Sequence, residues 1–360
     1  MEDNNNTSEK DEKDFEDPIK KALSDPEAPL IPSASVNSSK FGAPRIDLSL
    51  LTSKVGEARI EIGKYLIGQN EMVDLLLIGL FCGGHVLLEG VPGIAKTLTA
   101  KVLSKTLSVD FSRIQFTPDL MPSDIIGTSV YNLKSGEFLF KKGPIFTNVV
   151  LIDEINRAPA KTQAALFEVM EERQITYDGV QYNLDYPFLV IATQNPIEQE
   201  GTYRLPEAQL DRFMFKVNLH YPTLKEEKEI LIRFRNKHEA DLEKVQSLFS
   251  KSELKTIQSS IEQITLDDSL VAYIANITHE TRSHGKLYLG GSPRASLSMM
   301  KASKAIAAMR GRDFVVPDDV QYVAFHVLNH RIILTPEAEM EGMDESVIIQ
   351  EIIQKVEVPR

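Results

Sequence analysis

Gly90-Val91-Pro92-Gly93-Ile94-Ala95-Lys96-Thr97 is the stretch on which the fold turns. An apolar run, Val86 to Leu88, precedes it, and a helical pattern from Leu98 to Leu107 follows. A strand, a glycine-rich turn and a helix in that order bring consecutive backbone N–H groups and a helix N-terminus onto a polyphosphate. The spacing therefore predicts a nucleotide-phosphate cradle made by Gly90, Val91, Pro92, Gly93, Ile94, Ala95, Lys96, Thr97 and Leu98. In that reading Lys96 reaches the β- and γ-phosphates, and the Thr97 hydroxyl takes a position on Mg²⁺. Ala95 stands where the pattern G-x-x-x-x-G-K-[ST] has its second glycine, a departure of one methyl group.

The next stretch that matters is Val149-Val150-Leu151-Ile152-Asp153-Glu154. Four aliphatic residues in a row suit a strand buried on both faces of a parallel sheet. Such a strand ends with two carboxylates at the carboxyl edge, beside the phosphate turn. Asp153 would hold Mg²⁺ through water, and Glu154 would orient and activate the attacking water. A third strand end, Ile191-Ala192-Thr193-Gln194-Asn195-Pro196, carries amide side chains, and Asn195 would hydrogen-bond the γ-phosphate or the water.

Around these stretches the chain alternates strands and helices. Leu51, Val55, Ala58, Ile62 and Leu66 recur at helical steps, and Glu71 to Phe81 reads as a second helix. Strands are expected at 111–116, 188–193 and 213–219, and a helix over Ala160 to Glu172. Tyr131 to Phe140 turns at Ser-Gly and Gln174 to Leu184 turns at Asp178-Gly179, so both read as hairpins. The alternation predicts an α/β domain with a parallel sheet over residues 46–222. Beyond Tyr221-Pro222 the signals are helical over 223–360. Thr223-x-x-Glu226 and Thr265-x-x-Asp268 look like capping boxes, Ser292-Pro293 opens a helix that stops at Gly311, and Pro317 opens another. Residues 1–45 are rich in Asn, Ser, Pro and charge and read as an unstructured tail, in which Asp14 to Leu23 could dock as a short helix.

Composition narrows the class. A chain of 360 residues with 42% hydrophobic and 26% charged residues is an ordinary soluble one, long enough for two folded units. A net charge of −12 argues against a broad non-specific nucleic-acid surface. The single cysteine, Cys82, excludes an internal disulfide framework and fits a reducing compartment. The apolar run ending at Cys82 is too short to cross a bilayer and the N-terminus is acidic, so a cytoplasmic protein is expected.

Five segments in order resemble the MoxR family of AAA+ ATPases: the phosphate turn, Leu151 to Ala158, Ala192 to Pro196, Leu205 to Phe213, and Gly291 to Ala295. That family carries alanine at the place of Ala95, so the departure turns into agreement. The resemblance covers roughly residues 48 to 335 and implies a five-stranded parallel P-loop NTPase sheet with a small all-α lid. By position it makes Lys96 and Thr97 the Walker A pair, Asp153 and Glu154 the Walker B pair, and Asn195 sensor 1. Arg212 falls at the arginine-finger position, Arg294 at sensor 2, and Ile67-Gly68 beside the adenine. The two hairpins resemble the inserts that mark this branch, where the lid is displaced, so Arg294 serves its own nucleotide or a neighbour's. Independently, Ser292 and Pro293 put Arg294 in the first turn of a helix, where it would present positive charge to a phosphate. Arg204 is a second candidate for the finger and Arg157 for an intersubunit contact.

The expected protein is an ATPase working as a ring, a hexamer by resemblance, that remodels or matures protein clients, with partners carrying a von Willebrand factor A domain. Two rivals stand beside it. One is a nucleic-acid motor of the related helicase and chelatase group, favoured by Lys134, Lys141 and Lys142 near the first hairpin but opposed by a second hairpin with Asp178 and no lysine. The other is an ATP-gated scaffold with little turnover.

Overall fold

The computed structural model describes residues 46–134, 136–196, 202–235 and 241–359. The tail expected over 1–45 lies outside the described residues. In chain order the first part holds α1 (Ser49–Gly63), α2 (Asn70–Phe81), β1 (Val86–Glu89), α3 (Lys96–Thr106), β2 (Phe111–Gln115), α4 (Pro122–Ile126), β3 (Gly127–Asn132) and β4 (Glu137–Lys142). It continues with β5 (Val149–Asp153), α5 (Ala160–Glu172), β6 (Gln174–Tyr177), β7 (Val180–Asn183), β8 (Leu189–Gln194), α6 (Glu207–Leu210) and β9 (Phe215–Asn218).

Five of these strands form one sheet in the order β2-β5-β8-β1-β9, every pair parallel. The aliphatic runs explain why. In a strand successive side chains point to opposite faces, and here both faces are covered. Val86, Leu88, Val149, Leu151, Leu189 and Ile191 join the core under α1, α2 and α3. Leu87, Val150, Ile152, Val190 and Ala192 join the core beneath α5. Each fully buried aliphatic side chain stabilises the fold by about 1.5–3 kcal/mol, so a one-residue slip in any central strand would exchange whole sets of contacts.

The hairpins stand apart from this sheet as β3-β4 and β6-β7. The first is longer than its sequence signal because Gly127 and Gly143 let its base close: a Cβ at Gly127 would fall 2.2 Å from the Lys141 carbonyl oxygen. The second turns through Asp178 and Gly179, both with positive φ, as the Asp-Gly pair predicts. Phe140 joins the two hairpins, its ring centroid 4.7 Å from that of Tyr177 and 4.6 Å from that of Tyr182.

The second part holds α7 (Leu224–Phe234), α8 (Lys251–Glu262), α9 (Asp268–Ser283), β10 (Leu287–Leu289), α10 (Pro293–Met309), α11 (Pro317–Leu328), β11 (Ile333–Leu334), α12 (Pro336–Met340) and α13 (Glu345–Lys355). The capping box at Thr223 forms as expected. The expected start at Thr265 is corrected: Asp267 caps α9 by accepting from the Ser269 N–H, while Thr265 bridges to Phe314. An Asp caps through a short carboxylate better placed than a threonine already committed to a strand-like bridge. An all-helical part is corrected as well, since β10 and β11 pair as a small antiparallel ribbon. Two short runs more than forty residues apart carry no local pairing signal. The core beneath α1 and α2 continues into this part through Phe249, Leu254, Ile277 and Met299.

Candidate active site

The order of strands decides what meets at the carboxyl edge. β8 lies between β1 and β5, so the turn after β1, the amide end of β8 and the carboxylate end of β5 are neighbours. With strands about 4.8 Å apart, the ends of β1 and β5 stand roughly 10 Å from each other. The Gly90 N–H donates to the Gln194 carbonyl at 3.2 Å, which ties the turn to the strand end carrying Asn195. Asn195 is buried.

The backbone of the turn is set by its small residues. A Cβ at Gly90 would lie 2.6 Å from Ile94 Cδ1 and 2.9 Å from Leu219 Cβ, so only glycine fits there. Gly93 has φ +90 and the side of it where a Cβ would sit is open. Ala95, the N-cap of α3, is left-handed at φ 61, and no side chain caps the helix. A methyl group is tolerated at that φ at a cost of about 1 kcal/mol, and the first N–H groups of α3 are left without a side-chain cap. Lys96 folds back over the turn, its Nζ donating to the Gly90 carbonyl at 2.7 Å. Val91, Thr97 and Leu98 are half-buried and Pro92 is exposed.

At the end of β5 both oxygens of Asp153 are held. Arg113 Nε donates to Oδ2 at 2.6 Å, and the Thr193 hydroxyl donates to Oδ1 at 3.2 Å. The same hydroxyl accepts the Glu154 N–H at 3.0 Å. That bond helps to fix a strained residue, because Glu154 has φ 57. The Glu154 carboxylate takes Gln115 Nε2 at 2.9 Å and Arg157 Nε at 3.0 Å. Arg157, a candidate for an intersubunit contact, is thus paired within its own chain. A hydroxyl, one carboxylate and a bed of N–H groups suit a cation that keeps most of its waters and substrate oxygens, as Mg²⁺ does.

Ile67 and Gly68 form the turn between α1 and α2, Gly68 with φ +77. The capping carboxylate of Glu226 at the start of α7 lies against Gly68, and the segment from Leu219 to Thr223 connects that point to the phosphate turn.

Arg212 and Arg294 lie elsewhere. Arg212 Nη1 donates to the Phe167 carbonyl at 2.8 Å and approaches Glu171 at 3.4 Å, and Arg294 Nη2 meets the other oxygen of Glu171 at 2.8 Å. Glu171 closes α5, which runs back from the carboxyl edge, and the next turn binds Gly83 ahead of β1 through Arg173. From there to Gly90 is the length of β1, about 16 Å. The structure therefore brings these two arginines together at the amino edge of the sheet and not at their own phosphate turn. Arg204 is exposed and 3.9 Å from Glu207.

Arg113, Gln115, Thr193 and Glu171 were not singled out by sequence. Only Thr193 carried a signal, a hydroxyl directly after the aliphatic run of a buried strand that ends at the edge expected to hold phosphate.

Residues 85–215 match the profile of the ATPase family associated with various cellular activities (AAA), and residues 279–352 match that of the AAA lid domain. The Bacillus subtilis (strain 168) protein YeaC, itself uncharacterized, is 46% identical over 305 residues, 85% of this chain and 95% of its own. Chaperone MoxR1 of Mycobacterium tuberculosis is 43% identical over 312 residues, 84% of this chain and 82% of its own. A crystal structure from Cytophaga hutchinsonii, described provisionally as that of an ATPase, is similar with a TM-score of 0.81 at 45% identity and covers 91% of this chain and 99% of its own.

Proposed function

We infer that this chain, which belongs to the MoxR family of AAA+ ATPases, hydrolyses ATP at the edge where β1, β8 and β5 end. The adjacency of those three strand ends is the observation that carries the reading. The turn from Gly90 to Leu98 binds the phosphates through N–H groups, and Lys96 exchanges the Gly90 carbonyl for a phosphate oxygen. Ile67 and Gly68 flank the base. Thr97 and Asp153 would hold Mg²⁺, which would supply positive charge to offset that of the phosphates. Glu154 orients the attacking water and draws its proton, and Asn195 fixes that water against the γ-phosphate. The domain bounds of 46–222 and 223–360 belong to the same proposal.

Arg212 and Arg294 complete a neighbouring protomer's site, because their common place at the opposite edge suits delivery across an interface. An arginine supplied in trans is worth about 10³–10⁵ in rate, so assembly into a ring, a hexamer by family, is part of the activity. The clients are proteins, as the name of the Mycobacterium relative suggests, with von Willebrand factor A domain proteins as candidate adaptors in the cytoplasm. Exposed Tyr131, Leu133, Phe138 and Leu139 give the first hairpin an apolar surface that favours a protein client over nucleic acid. Glu154→Gln tests hydrolysis: Mg²⁺-ATP affinity should persist while turnover falls about 10²–10⁴-fold, and equal turnover in the two proteins would remove Glu154 from the chemistry.

A further inference from the structure

The two arginines belong to different parts of the chain, Arg212 to the segment entering β9 and Arg294 to the first turn of α10, yet a buried network joins them. Arg331, between α11 and β11, has a side chain 2% exposed. All five of its N–H donors are used. Nε gives to Asp211 Oδ1 at 2.7 Å, Nη1 to the carbonyls of Met214 at 3.2 Å and Val327 at 2.6 Å, and Nη2 to those of Asp211 at 3.0 Å and Phe213 at 2.6 Å. His330 Nε2 adds a contact with the Phe213 carbonyl at 3.0 Å, and Asn329 Nδ2 donates to that of Lys216 at 2.9 Å.

Asp211 is the hinge pin of this arrangement. Its carboxylate accepts from Arg331 and also from the Ser292 hydroxyl, at 3.0 and 2.9 Å to its two oxygens. Ser292 is the N-cap of α10, and its oxygen accepts the Arg294 N–H at 3.1 Å. One carboxylate thus adjoins Arg212 in sequence and binds the residue that starts the helix of Arg294. Glu171 then spans both guanidinium groups. A fold that needed only burial at this place would be served as well by apolar side chains, since burying an ion pair offers little net stability.

We propose that Asp211 and Arg331 are positioning residues that lock Arg212 and Arg294 into one rigid pair, so that a neighbouring protomer's triphosphate meets both guanidinium groups together. The proposal rests on the trans-acting reading above. Displacement of a catalytic group by about 1 Å can cost 10²-fold in rate, so loss of the lock should reach kcat while leaving ATP binding alone.

The test mixes two inactive proteins. Arg212→Ala subunits keep a complete phosphate site, and Glu154→Gln subunits keep complete arginines, so mixed rings should recover ATPase activity. Adding Asp211→Asn to the Glu154→Gln donor should lower the recovered kcat at least about tenfold with KM for ATP unchanged, and Ser292→Ala in the donor about three- to tenfold. Turnover is expressed per assembled subunit from the mass of the mixed ring, and Ser292→Ala carries the test if the Asp211→Asn donor fails to fold. Recovered kcat equal to that of the parent donor with either variant, or a loss that follows the amount of assembled ring alone, would overturn the positioning role. Absence of recovery with the parent donor would instead overturn the trans-acting reading on which it rests.

Discussion

Thr193→Val probes how the acidic strand end is built. The substitution keeps volume and removes one hydroxyl, which in the structure donates to Asp153 Oδ1 at 3.2 Å and accepts the Glu154 N–H at 3.0 Å. Thr193 is 2% exposed, so water does not replace the lost partner. A hydrogen bond to a charged group is worth about 1.5–3 kcal/mol and an orphaned buried N–H costs about 1–3 kcal/mol. Because both share one hydroxyl and the strand end can relax, the loss should be about 2–4 kcal/mol. Glu154 sits at φ 57, and release of its N–H lets that residue leave the strained conformation. Turnover should therefore fall by about 10- to 100-fold. Urea unfolding of the nucleotide-free protein gives the first quantity, and steady-state phosphate release at saturating Mg²⁺-ATP gives the second. Thr193→Ser, which keeps the hydroxyl, should retain turnover within about twofold. A valine variant within about 0.5 kcal/mol and twofold of the parent would refute the bridging role.

Two further expectations follow from particular residues. His85 is buried with Nδ1 accepting from the Val190 N–H at 3.0 Å and Nε2 against the Met170 carbonyl at 3.1 Å, and burial brings its pKa down to about 4. Since the unfolded chain then binds more protons between about pH 6.5 and pH 4, stability should fall as the solution is acidified through that window, by about 2 kcal/mol from pH 7 to pH 5 for this group; a denaturant midpoint no more pH-dependent than that of His85→Gln would contradict it. Gly127→Ala places a methyl 2.2 Å from the Lys141 carbonyl oxygen at φ +105, which should open the β3-β4 base and expose it to limited proteolysis at an unchanged sheet; a hairpin as resistant as the parent's would show that the close approach is not required.

The glycine-rich turn and the acidic strand end were legible because each is a local pattern within about ten residues, and the parallel sheet because strands and helices alternate along the chain. The supports were not. Thr193 meets Glu154 across 39 residues and Arg113 meets Asp153 across 40, and nothing in either segment names its partner before the strands are ordered. Glu171 carries no sequence signal, and its meaning comes from two arginines of distant segments that converge on it. The capping box Ser250-Lys251-Ser252-Glu253 is a local signal of the same kind and opens α8 as Thr223 opens α7. Asp267 displaced Thr265 as a cap because Thr265 is drawn into a bridge with Phe314, a contact that no window of local sequence contains.

The central claim is that three strand ends surround one metal-bound triphosphate. Crystals grown with Mn²⁺ and a non-hydrolysable ATP analogue test it through the anomalous signal of the metal. The account predicts one Mn²⁺ peak beside the Thr97 hydroxyl and within about 4–5 Å of the Asp153 carboxylate, the span of a metal–water–carboxylate bridge. A nucleotide bound with its metal beyond that reach, or held away from the turn at Gly90 to Thr97, would contradict it.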